Sequence, residues 1–378
     1  MRITVLGAGR VGRAIIRDLA VDGTFSVRAV DVAAASLAPL EGLRNVECER
    51  ADLSRGEEID RVIADADLVV GAVAGHMGHA TLERVIRAGR NVVDISFFDR
   101  DPFELDALAQ EKGVVAVVDC GVAPGCSNLI LGRMESLLDE TTRFTCYVGG
   151  LPVQRRWPYE YRAPFSPIDV IEEYTRPARF RRNGEDVTLP ALSERERIEV
   201  DGIGTLEAFN TDGLRTLLTT SRTPTMVEKT LRYPGHAELM EVLRETGFFR
   251  TDFIDVGGTA VRPLEVSARL LFAAWEFEPG EEDLTAMRVE VEGVRDGRRV
   301  LHRFEMLDRY DRATRTTSMA RTTGYTCTSA VRMVAAGLYK RIGISPPEYV
   351  GADPRCYDFI MTGLRERGVV FTETVTEL

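Results

Sequence analysis

The stretch Arg2-Ile-Thr-Val-Leu-Gly-Ala-Gly-Arg-Val-Gly12 runs a short apolar segment straight into Gly7-x-Gly9-x-x-Gly12, and residues 13–20 follow with helical spacing. Each glycine has its own role in a strand–turn–helix unit. Gly7 permits the tight turn, Gly9 lets backbone approach a pyrophosphate, and Gly12 lets the helix pack closely on its strand. The phosphates would meet the free N–H groups around Arg10, Val11 and Gly12, where the helix dipole favours negative charge. A second apolar segment, 25–30, ends in Asp31, 19 residues after Gly12. That is the spacing of a carboxylate that accepts the ribose hydroxyls. Asp31 also repels a 2′-phosphate, and residues 32–35, Val-Ala-Ala-Ala, carry no arginine to bind one. The cofactor read from this stretch is NAD rather than NADP.

Strand and helix signals then alternate: strands near 46–48, 67–73, 91–95 and 114–118, helices near 57–64, 81–88 and 103–112. The fold class is α/β, a Rossmann-type doubly wound parallel sheet. Ligands in such sheets bind beyond the carboxyl ends of the strands. This adds Asp52, Ala72, Pro124 and Gly125 to the cofactor candidates. From residue 127 hairpins replace the alternation, with turns at Asn183-Gly184 and Asp296-Gly297 and helices near 167–174, 236–246 and 263–274. Residues 127–317 therefore read as an inserted mixed α+β substrate and dimerisation domain. A late helical stretch at 326–338 is expected to return to the first domain, 1–126, which 318–378 would complete. The wide antiparallel sheet of the insert offers a homodimer surface.

A length of 378 residues calls for two cores, and 44% hydrophobic with 28% charged residues describes a globular chain. A net charge of −11 argues against nucleic-acid and anionic-membrane partners. The six cysteines are scattered, only four histidines occur, and no metal-ligand spacing is present, so no metal is expected. Without a membrane-length apolar run or a signal peptide, the expected compartment is the cytoplasm.

Several strings resemble the saccharopine dehydrogenase superfamily, in family order across nearly the whole chain. They are Val118-Asp-Cys-Gly-Val-Ala-Pro-Gly125 with Asn128, Tyr147-Val-Gly-Gly-Leu-Pro152, Ile171-Glu-Glu-Tyr-Thr-Arg-Pro-Ala178 and Leu206-Glu-Ala-Phe-Asn-Thr-Asp-Gly213, followed by Lys229-Thr-Leu-Arg-Tyr-Pro-Gly-His236 and Ser318-Met-Ala-Arg-Thr-Thr-Gly-Tyr325. Within it the chain looks closest to lysine 6-dehydrogenase. The resemblance implies NAD-dependent oxidative deamination of the lysine ε-amine, giving ammonia and a 6-semialdehyde that cyclises. Saccharopine reductases of the superfamily tend to carry acids where this chain has Ala123 and Ser127. A saccharopine or carboxyspermidine-type dehydrogenase acting on a secondary amine is the alternative, and a non-catalytic NAD-binding sensor is a second.

Oxidising an amine needs an unprotonated nitrogen and therefore a general base near the sheet's carboxyl edge. Asp119 is the first candidate, Asp94 the second, and His236 a proton relay. An amino acid needs a carboxylate clamp, for which Arg232 has the bidentate geometry, and an ammonium acceptor, for which Asp212 is suited. Asn128 and Tyr147 are candidates for polar positioning. The expected substrate contacts are thus 119–125 in the first domain and Asp212 with 232–236 in the second.

Overall fold

The computed structural model describes residues 1–21, 23–164, 167–278 and 280–378, which form two compact units. The first comprises Met1–Leu137 and Ala320–Val369, the second Leu138–Met319 and Val370–Leu378.

The first unit is built on a seven-stranded, wholly parallel sheet. Its strands in chain order are β1 (Arg2–Leu6), β2 (Ser26–Asp31), β3 (Val46–Arg50), β4 (Leu68–Gly71), β5 (Asn91–Asp94) and β6 (Val115–Val117), followed much later by Gly343–Ser345. The spatial order is Gly343–Ser345, β6, β5, β4, β1, β2, β3. The reversal of winding lies between β1 and β4, where a ligand crevice opens in such sheets. β1 and β4 are buried nearly throughout, as a sheet covered on both faces requires. The three-residue strand Gly343–Ser345 is absent from the sequence reading, because three residues carry no usable periodicity. Helix Ser318–Ala335 enters this unit at Ala320, and its Arg332 pairs with Asp18 at 2.7 Å.

The second unit carries a nine-stranded mixed sheet. Its strands are β7 (Glu140–Pro152), β8 (Ala178–Arg182), β9 (Glu185–Leu189), β10 (Glu196–Val200), β11 (Gly204–Asn210) and β12 (Met226–Arg232). After a separate hairpin, β13 (Ile254–Val256) and β14 (Thr259–Val261), come β15 (Asp283–Arg295), β16 (Arg298–Arg309) and the last strand, Thr372–Glu377. The main path runs β10, β11, β12, β7, β15, β16, Thr372–Glu377, with β8 joined to β12 and β9. β12 and β7 run parallel, and the other pairings are antiparallel. Asn183-Gly184 and Asp296-Gly297 all take positive φ, as two-residue hairpin turns demand. Helices Pro167–Thr175, His236–Thr246 and Pro263–Trp275 supply a core around Tyr174, Phe209, Met240 and Trp275.

The unit boundaries differ from the sequence reading at two places. Helix Cys126–Leu137 stays with the first unit, packed on the short helix Pro347–Ala352 through the close approach of Gly132 to Glu348 and of Gly351 to Leu129. The final strand belongs to the second unit, where it pairs with β16.

Candidate functional site

At the carboxyl edge of β1 the backbone enforces two of the three glycines. Gly7 has φ +106°, and a Cβ there would lie 2.3 Å from the Ala72 carbonyl oxygen; one on Gly12 would lie 2.1 Å from Gly7 O. Gly9 is different. Its φ of −64° suits any residue, and nothing in the protein lies within 4 Å of where its Cβ would be. Neither backbone nor packing requires glycine there, which fits a position kept clear for a ligand. Helix Arg10–Ala20 begins immediately after, with no side chain capping its first turn, so Arg10, Val11 and Gly12 sit at an uncapped, positive helix end. Asp31 closes the other side. Its Oδ2 accepts from Ala8 N and its Oδ1 from Ala33 N, both at 2.8 Å, which seats the carboxylate against the glycine turn. Asp52 is exposed and holds the turn after β3 by accepting from Ser54 N and Ser54 Oγ. These hydrogen bonds keep its carboxyl below the usual range.

An arginine does stand beside Asp31. It comes from the neighbouring strand, where Arg50 is the register partner of Asp31 and donates from Nε to Val32 O at 2.9 Å. Residues 32–35 give no sign of it, because strand neighbours in a parallel sheet are distant in sequence.

Further along the same edge, Asp119 is buried after β6 with φ +52°, an uncommon conformation for a non-glycine residue. The flanking backbone pins it: Val118 N donates to Ser345 O and Cys120 N to Asp94 O. The loop then folds back so tightly that a Cβ on Gly125 would lie 1.8 Å from Gly121 O. Pro124 precedes Gly125, and Asn128 holds the loop by accepting from Gly125 N and donating to Glu348 Oε2. Asn128 is wholly buried and its amide is committed to this brace. Asp94, at the end of β5, is braced in a similar way. It is wholly buried, its Oδ1 accepts from Ser96 N at 2.8 Å, and its Oδ2 fills the space over Gly71.

In the second unit Arg232 ends β12 and is 2% exposed. It is not a free clamp. Its guanidinium pairs with Glu173, donates to Tyr174 Oη at 3.1 Å and stacks 4.5 Å from the Tyr161 ring centroid. Burial opposes its charge, but Tyr161, Tyr174 and Glu173 raise its pKa, so it stays a cation. The network continues into His236. Its Nδ1 lies 2.9 Å from Tyr159 O and must donate there, so Nε2 accepts from Tyr174 Oη, also at 2.9 Å. Burial, helped by Arg232, pushes His236 down to about 3. The imidazole is thus held neutral, with both ring nitrogens hydrogen-bonded inside the second unit.

Asp212 is held by Arg179, whose Nε and Nη2 each reach a carboxylate oxygen at 2.9 Å. It is a bidentate ion pair rather than a vacant ammonium acceptor. Tyr147 is the register partner of Lys229, and Lys229 is three residues from Arg232 on β12. Alternation along the strand therefore puts Tyr147 on the opposite face of the sheet from Arg232. There it lines an open concavity of ≈ 240 Å³ with Lys229 and Glu196, and burial followed by Glu196 raises its phenol. The four substrate candidates thus do not share one surface.

Residues 3–117 match the family model for the saccharopine dehydrogenase NADP binding domain, and residues 121–369 match that for the saccharopine dehydrogenase C-terminal domain. The chain belongs to the saccharopine dehydrogenase family. It is 26% identical over 296 residues to an alpha-aminoadipic semialdehyde synthase of Arabidopsis thaliana, covering 69% of this chain and 28% of that protein. It is 24% identical over 268 residues to a saccharopine dehydrogenase [NADP(+), L-glutamate-forming] of Saccharomyces cerevisiae, covering 66% and 59%. These alignments span less than two thirds of either relative. The solved structure of saccharopine dehydrogenase (L-Glu forming) from Saccharomyces cerevisiae superimposes with a TM-score of 0.80 over 99% of both chains, at 19% identity.

Glu173 and Tyr174 carry no functional signal of their own in the sequence, although both lie in the string 171–178 that carries the resemblance. The pairing of Arg232 with Glu173, 59 positions away, is made only by the fold.

Proposed function

We propose that the protein is a nicotinamide-dependent oxidoreductase that oxidises an amino-acid side-chain amine, with L-lysine as substrate and NAD as cofactor. The observation that carries this reading is the seat at the carboxyl edge of β1 and β2: the space at Gly9, the uncapped helix end and the Asp31 carboxylate fit a dinucleotide's pyrophosphate and ribose. Family membership supplies the amine chemistry. The nicotinamide, when bound, supplies the two-electron oxidation of the carbon that bears the amine.

This chain's residues do the rest. Gly7, Gly9 and Gly12 admit the phosphates to the N–H groups of Arg10, Val11 and Gly12, while Asp31 accepts the ribose hydroxyls. Asp52 and Ala72 border the same edge, as do Pro124 and Gly125. Asp119 takes the proton from the ε-ammonium, leaving a lone pair on nitrogen. Water then adds to the resulting imine carbon and ammonia departs, leaving the 6-semialdehyde, whose α-amine closes on the new carbonyl.

The curated relatives favour a second reading, in which the substrate is a secondary amine such as saccharopine and the cofactor NADP. One experiment separates them: absorbance of the reduced nicotinamide on mixing the protein with NAD or NADP and each of lysine, saccharopine, other amino acids and diamines. Turnover of lysine with NAD is the expected result. Turnover of saccharopine alone transfers the assignment to the second reading, and binding of dinucleotide with turnover of nothing leaves a sensor.

A further inference from the structure

The face of the second sheet opposite Arg232 holds the hollow that Tyr147 lines. Its floor is β7 and β12, which run parallel with Tyr147 level with Lys229 and Phe144 level with Met226. Alternation along the strands turns residues 143, 145 and 147, and residues 227 and 229, to this one face. β8 and residues 194–196 form the walls around a volume of ≈ 240 Å³. Four cationic side chains, Arg143, Arg181, Arg182 and Lys229, line it against two carboxylates, Glu194 and Glu196. This excess of positive charge stands in a chain whose net charge is −11.

Donors and acceptors in this lining do not balance. Glu194 is fully engaged: Arg182 Nη2 donates to Oε1 at 2.6 Å and Asn210 Nδ2 to Oε2 at 3.0 Å. Both partners hold its carboxyl below the usual range. Glu196 Oε1 meets Lys229 Nζ at 3.0 Å and Tyr147 Oη at 3.4 Å. Arg181 is spent on Asp186 and on the carbonyls of Leu218 and Ser221. The other three cations keep open donors among the described residues. Lys229, only 7% exposed, has two acceptors, Glu194 O at 2.7 Å and Glu196, for the three hydrogens of its ammonium. Arg143 meets Glu292 alone, from Nε at 3.4 Å, and Arg182 donates from Nη2 alone. A buried cation with an unspent donor calls for an anion.

The open donors sit at two ends. Lys229 is level with Tyr147, which lies four residues beyond Arg143 on β7, about 13 Å at the rise of a strand. Arg182 belongs to the Arg143 end, because its neighbour Arg181 pairs with Met226 and Met226 with Phe144. Between the ends the lining is apolar or carries hydroxyls: Val227, Thr145 and Phe180, whose ring centroid lies 5.1 Å from the Arg182 guanidinium. A compact anion such as phosphate reaches one end only. An unbranched dicarboxylate reaches both, makes charge-assisted hydrogen bonds at each, and lays its methylenes against Val227 and Phe180.

We propose that this hollow binds a linear dicarboxylate, with one carboxylate on Lys229 and the other on Arg143 and Arg182. The site is independent of the catalytic reading, and its test needs no turnover. Calorimetric titration of the full chain with unbranched dicarboxylates from succinate to pimelate, and with butyrate and inorganic phosphate, decides it. The expected result is binding of one equivalent per chain with an optimum in chain length, weaker binding of butyrate and phosphate, and no displacement by saturating NAD with lysine. Lys229→Met should weaken the best dicarboxylate by roughly ten- to a hundredfold. Arg143→Gln, at a side chain that is 55% exposed, should weaken it by roughly two- to fivefold. If Lys229→Met fails to fold, Arg143→Gln decides. The proposal is overturned by absence of binding, by an affinity that ignores chain length or equals that for phosphate, by displacement with NAD and lysine, or by folded variants that bind like the wild type.

Discussion

Asp31 has two duties that are read apart only in the structure. Its carboxylate braces the glycine turn through Ala8 N, and in the proposed function it also accepts the ribose hydroxyls. Asp31→Ser is therefore expected to weaken NAD binding by roughly ten- to a hundredfold, the value of a charge-assisted hydrogen bond. NADP binding should strengthen, because the repelling charge is gone and Arg50 stands one strand away. Removing Arg50 as well, by Asp31→Ser with Arg50→Ala, should abolish that gain in a calorimetric titration. For the chemistry, Asp119→Asn is expected to lower kcat by about 10²–10⁴-fold with KM little changed. Arg232→Ala should instead cost roughly 3 kcal/mol in urea denaturation, because Glu173 is left without its counter-charge. His236, held neutral by burial, predicts a further result: His236→Gln leaves the shape of the kcat/KM profile unchanged between about pH 5 and 8. A lost limb in that profile would return the imidazole to the proton path. The turn glycines Gly7 and Gly12 and the place of Asp31 at the end of β2 were legible from sequence because their geometry is local. Glu173, Arg179, Glu348 and Arg50 were not, since each meets its partner across strands or helices that only the topology brings together.

At the level of elements, the best-defined join is Asp283 at the start of β15. It is wholly buried and accepts from Ser318 N at 2.7 Å and Met319 N at 3.1 Å, satisfying the first turn of helix Ser318–Ala335. Burial, with Asp308 also contributing, raises its carboxyl to about 6. The folded-state value lies above the unfolded one, so the folded protein holds this proton longer, and stability declines as pH rises through the interval between the two. Asparagine does not ionise. Stability of Asp283→Asn relative to the wild type should thus improve by about 1.4 kcal/mol between pH 5 and pH 8, measured by urea unfolding at each pH. A relative stability that stays flat or falls would mean that Asp283 is ionised throughout. Strand–helix alternation and the two Gly-containing hairpin turns were readable because their periods and φ requirements are written in adjacent residues. The strand Gly343–Ser345 is placed by its partner, β6, and by nothing in its own three side chains.

For the whole molecule, the decisive property is that neither unit is one continuous piece of chain. Thr372–Glu377 forms an edge of the second sheet, and Glu373 accepts from the buried His302 at 2.7 Å. Ending the chain after Val369 should therefore bare the edge of β16, cost about 1–3 kcal/mol and promote aggregation through the free strand. Light scattering during a thermal ramp checks this, and an unaltered melting temperature would show the last strand to be dispensable.

The same threading sets a timetable for synthesis. A ribosome releases the glycine turn first, yet Ser345, whose carbonyl receives Val118 N beside Asp119, emerges more than two hundred residues later. The edge strand of the other sheet emerges later still. Neither sheet is finished until its late strand, residues 343–345 for the first and 372–377 for the second, has emerged, so β16 and the Asp119 loop stay open to chaperones until then.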